Sequence, residues 1–97
     1  MKECNTLEEV RSEVDKLDDE IVSLIAKRSA YIHQAVKFKQ SVEEVKAEKR
    51  VSEVMQRVRH KALEAGMSPN MITDIYTKMI DAMVESEIAE FRDKGSF

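Results

Sequence analysis

The sequence predicts an all-α fold of three helices per chain, with a very long first helix and two copies interleaved into one homodimeric bundle. Three observations predict it. Apolar residues recur at steps of three and four along most of the chain, the period of helices packed on one face. Only two glycines and one proline interrupt 97 residues. The first helical stretch, Thr6 to Gln40, also outruns the domain that would contain it. About 34 residues at ~1.5 Å each make a rod roughly 50 Å long, whereas a compact chain of this size has a radius of gyration of about 12 to 13 Å. An apolar stripe along such a rod calls for a second chain to cover it.

That first stretch places Leu7, Val10, Val14, Leu17, Ile21 and Leu24, then Tyr31, Ala35 and Phe38, at helical spacing. Thr6 and Glu9 form a capping-box pattern at its start. Where the next apolar residue is due after Leu24, the chain places Arg28, so a guanidinium faces whatever the helix packs against.

Val51, Val54, Met55, Val58 and Ala62 mark a second helix, stopped by Ala65-Gly66. Its start is open. Ser41 and Glu44 offer another capping box, and Ser41 to Ala47 reads either as a mobile loop that orders over a ligand or as a continuation of one helix into the next. Ser68-Pro69 announces the third helix, an N-cap followed by proline at the first helical position. Its stripe includes Met71, Ile72, Ile75, Tyr76, Met79, Ile80, Met83, Val84, Ile88 and Phe91, and Glu87 falls among them. The tail after Arg92 is expected to fray.

One domain, residues 1–97, accommodates this pattern. The net charge of −3 argues against nucleic acid, and the basic run Arg57 to Lys61 reads as a solvated helix face. A lone Cys4 permits no disulfide framework, and one Cys with two distant His gives no metal-ligand spacing. His33 and His60 read as surface side chains. With no apolar leader and no run of membrane-spanning length, a cytoplasmic protein without membrane contact is expected.

Function is read from the charges on the apolar faces. Arg28 and Lys39 lie 11 residues apart, which on a continuous helix leaves them within ~20° of one face and roughly 16 Å apart. Arg11 stands 17 residues before Arg28 and is turned about 100° from it, so it reaches such a pocket only from a second copy. Arg50 sits at the edge of the second stripe. A lone inward Arg reads as a rim residue or half of an ion pair, but one Glu87 cannot neutralise all these cations. Burying uncompensated charge is costly, which suggests a small dianionic ligand gripped by arginines.

At this point the residues resemble a known family. LEEVRSEVDKLDDEIVSLIAKR, the FK ending at Lys39, Arg50, and a last helix carrying Glu87 are similar to the all-helical chorismate mutases and the isochorismate pyruvate lyases. The resemblance covers nearly the whole chain. It implies an intertwined homodimer with two pockets, no cofactor, and a small dicarboxylate substrate, chorismate or isochorismate. Arg28 would clamp one carboxylate, Arg11 of the second copy the other, and Arg50 would approach from the Ser41–Ala47 side. Lys39 and Glu87 would be the catalytic pair flanking the ether oxygen, Glu87 only when protonated, since a carboxylate has no proton to give.

Features divide between the two branches. The 11-residue step from Lys39 to Arg50, the YIHQAVKFK segment and Cys4 look more like the lyases, as does Val51 where many mutases carry a carboxylate. Glu87 looks more like the mutases. The leading expectation is chorismate mutase, giving prephenate; an isochorismate pyruvate lyase is the rival, and a non-catalytic helical dimerisation module is a third reading from another class.

Overall fold

The computed structural model of the chain describes residues 1–94, and no strand occurs among them. Helix α1 spans Leu7–Ala35 and is followed by a 3-10 turn at Val36–Phe38; α2 (Val42–Lys46), α3 (Glu48–Glu64) and α4 (Pro69–Lys94) complete the chain. The three long helices of the sequence pattern are present, joined by a short one, α2, that periodicity does not announce. The chain forms two compact units, Met1–Tyr31 and the part from Ile32 onward.

In the first unit the Thr6 hydroxyl accepts the Glu9 N–H at 3.1 Å, while the Glu9 carboxylate accepts from Asn5 N–H at 2.8 Å. The capping box is therefore realised with its return bond one residue before the cap. α1 buries none of its side chains. Leu17 is 56% and Leu24 62% exposed. The arm Met1–Cys4 shares a cleft of about 600 Å³ with Val10, Val14 and Leu17, and Lys2 pairs with Glu13 at 3.5 Å.

The expected helix to Gln40 ends five residues early. The Val36–Phe38 turn packs on α4 and buries Val36, and Lys39 beyond it has extended backbone, φ −93° and ψ 140°. Val36, the first residue of this tighter turn, is 2% exposed within the second unit. The arithmetic that aligned Lys39 with Arg28 on one helix face therefore does not hold.

Ser41 to Ala47 is neither a loop nor a helical continuation but a separate helix. Its Val45 is 2% exposed, and α2 packs on α4. α3 also lies on α4, with Val54, Val58 and Ile80 at the centre of the contact and Val51, Tyr76 and Val84 around them. α3 stops as expected: Gly66 takes φ +76°, Gly66 N–H donates to Leu63 O at 3.1 Å, and Met67 N–H donates to Ala62 O at 2.9 Å. This is the paired-bond helix ending that favours glycine. Ser68 then caps α4, accepting Met71 N–H at 3.4 Å.

The basic run Arg57 to Lys61 is not wholly a solvated face. Half-buried Arg59 donates to Pro69 O at 3.1 Å and to Thr73 Oγ1 at 2.6 Å, tying α3 to the first turn of α4. His60 is exposed and pairs with Glu64 at 2.9 Å. His33 is half-buried; Nδ1 meets Glu90, and Nε2 lies 3.2 Å from Ser86 Oγ. Of the tail expected to fray, Asp93 and Lys94 continue α4, and Gly95 to Phe97 lie outside the described residues. Among the described residues no helix is long and apolar enough to cross a membrane.

Candidate active site

Lys39 and Arg50 come together at one cleft of about 730 Å³ within the second unit. The connection between them is built by hydrogen bonds. Ser41 Oγ accepts Glu44 N–H at 3.2 Å, the Glu44 carboxylate accepts Gln40 N–H, and Val45 N–H donates to Ser41 O at 3.1 Å. This repeats the displaced capping pattern of α1. Ala47 closes α2 in the left-handed region, φ 45° and ψ 52°, which costs a residue with a Cβ about 1–2 kcal/mol. The break is confined to that single residue, so α3 begins at once, with Val51 N–H donating to Ala47 O at 2.9 Å. Arg50 thus falls in the first turn of α3.

Lys39 is half-buried, and its Nζ donates to Glu44 O at 3.0 Å. Arg50 is exposed. Three cations, Lys39, Lys49 and Arg50, line the cleft with three acids, Glu44, Glu48 and Glu53. Lys39 and Arg50 alone therefore do not create the positive excess that the sequence suggests. Glu44, Glu48, Lys49 and Glu53 escaped the sequence reading as site residues, although Glu48 and Lys49 directly precede Arg50 and Glu53 lies one turn after Lys49.

Glu87 faces inward on α4, 5% exposed and one turn beyond buried Met83, and is not among the residues lining the Lys39–Arg50 cleft. A second cleft, about 480 Å³, is lined by Val51, Ile80, Val84 and Ile88 together with the charged Lys46, Asp81 and Glu85, and Glu48 borders both clefts. Arg11 and Arg28 belong to the first unit, on α1; Arg11 is exposed and Arg28 half-buried. Within one chain, then, the four expected cations are at most half-buried.

An all-helical chain whose third helix opens onto a charged cleft, with an acid buried on the last, defines a narrow class. Residues 10–88 match the family Chorismate mutase type II, and the chain belongs to it. Membership supports chorismate-mutase-type activity on a chorismate-like substrate. An isochorismate pyruvate lyase of Pseudomonas aeruginosa is 24% identical over 91 residues, covering 94% of this chain and 90% of that protein.

Proposed function

We propose that residues 1–97 act as one chorismate mutase domain, rearranging chorismate to prephenate as a homodimer. The observation that carries this reading is the convergence of Lys39 and Arg50, from different elements, on one cleft in a chain of this family. The reaction is pericyclic and needs no nucleophile. The protein holds the reactive conformer and stabilises the charge that develops as the C–O bond breaks. Lys39 donates to the ether oxygen, protonated Glu87 assists, Arg28 and Arg50 bind the substrate carboxylates, and Arg11 enters from the second copy. The near balance of charge among the residues lining the cleft makes Arg11 and Arg28 necessary to this scheme, since a dianion needs a net positive surround.

The second copy is argued from α1, whose apolar stripe is more than half exposed at Leu17, Ile21 and Leu24. Covering the remaining surface of several such side chains contributes roughly 1 kcal/mol or more at each.

The second reading, isochorismate pyruvate lyase, is favoured by the Pseudomonas aeruginosa relative and by Val51, which lines the second cleft where many mutases carry a carboxylate. Incubation with chorismate and with isochorismate, following prephenate and salicylate, tests both: prephenate formation is the expected outcome, and salicylate with no prephenate rejects it in favour of the lyase. Lys39→Ala is expected to lower turnover by more than about two orders of magnitude, the effect of losing one preorganised donor; a variant within tenfold of wild type removes Lys39 from the reaction. Activity is expected to fall as pH rises through the Glu87 pKa, because the proton-bearing form is the active one, and Glu87→Gln is expected to flatten the profile.

A further inference from the structure

We infer that Glu44 is the positioning residue for the Lys39 ammonium, an inference that rests on the reading of Lys39 as donor to the substrate. Lys39 lies on extended backbone between a 3-10 turn and α2, so no helix restricts its side chain. Its Nζ is held by Glu44 O at 3.0 Å. That carbonyl is available for a structural reason. The last carbonyls of a helix lack intrahelical partners; Glu43 O is taken by Ala47 N–H at 3.0 Å, and the left-handed turn at Ala47 then sends the chain into α3.

Glu44 holds the same residue from its other side as well. Its carboxylate accepts the N–H of Gln40, the residue directly after Lys39. α2 itself is fixed by buried Val45 against α4 and by the Ser41 cap. An ammonium has three donors, so one spent on Glu44 O leaves two for a ligand in the cleft that both residues line. The short helix is thus a brace that sets where the Lys39 charge stands.

The test compares Glu44→Ala, Glu44→Gln and Ser41→Ala, alone and combined with Lys39→Ala. Glu44→Ala is expected to lower kcat about tenfold or more with KM moved little, the signature of a misplaced catalytic group. Glu44→Gln, still able to accept from Gln40 N–H, is expected to recover most of that loss, and Ser41→Ala to show a smaller loss of the same kind. Adding Glu44→Ala to Lys39→Ala is expected to cost nothing further, because the first residue acts through the second. Glu44→Ala keeps the main-chain carbonyl that accepts from Lys39 Nζ but removes the carboxylate that ties Gln40 to α2, so NMR of the Lys39 ammonium in lysine-labelled protein, a readout independent of turnover, is expected to show its proton signal weakened or shifted relative to the wild type. Wild-type kcat in Glu44→Ala, an additive loss in the double variant, or an unchanged ammonium signal overturns the positioning role. Full activity in Lys39→Ala instead overturns the functional reading, and the ammonium signal then decides the positioning by itself.

Discussion

The two compact units carry the same kind of apolar periodicity and bury it to opposite extents. In the second unit Val58 and Ile80 are each 6% exposed, enclosed where α3 lies on α4. In the first, Leu17, Ile21 and Leu24 recur as regularly along α1, yet α1 buries no side chain. The difference teaches that periodicity names the face that seeks cover without naming what covers it. For α3 the answer lies in its own chain; for α1 it is the second copy proposed above.

The comparison breaks most visibly if the α1 stripe is made charged. Leu17→Glu with Ile21→Glu is expected to convert the assembly to single chains in sedimentation experiments, with activity reduced by about a hundredfold or more through loss of the second copy's Arg11. A dimer of normal activity carrying both changes rejects the proposed cover for α1.

Ile80→Ala acts on the other side of the contrast. Deleting a buried isoleucine side chain costs about 2–5 kcal/mol, so the urea midpoint is expected to fall while sedimentation still reports paired chains at assay concentration. If Ile80→Ala dissociates the chains as readily as the α1 variant, the two regions are not energetically separate.

The smallest effect is a titration on the first unit. Lys16, bonded to Glu13 at 3.1 Å, and then Lys2 hold the Glu13 carboxyl below its ordinary value. A carboxylate with a depressed pKa in the folded chain favours folding above its unfolded pKa, and that contribution is lost as pH falls through the folded value. Because the Glu13 pair lies at the surface, with Lys16 well exposed to solvent that screens it, Lys16→Ala is expected to raise the Glu13 titration midpoint by NMR with almost no change in melting temperature.

Much of this was legible in the residues. Thr6 and Ser68 each mark a helix start and Gly66 marks a stop, because caps and left-handed turns depend on local chemistry, while the Ser41 cap was visible as a possibility without the separate helix it begins. Glu87 is inward because Met83, Val84 and Phe91, three or four residues away, are apolar. The end of α1 was not legible, since nothing local forbids a helix through Val36; burial of that side chain against α4 decided it. Nor was the break at Ala47, where alanine occupies backbone that glycine ordinarily supplies.

By itself, then, the sequence determined the helical class, the apolar faces, the caps and the identity of the charged residues, all properties of spacing and side-chain chemistry within a few turns. Only tertiary structure decided that Lys39 leaves the helix, that α2 exists as a brace, and that Lys39 and Arg50 share a cleft with three acids. Those outcomes depend on Val36 and Val45 finding burial in the second unit's core, a long-range contribution large enough to override the local preference for one continuous helix.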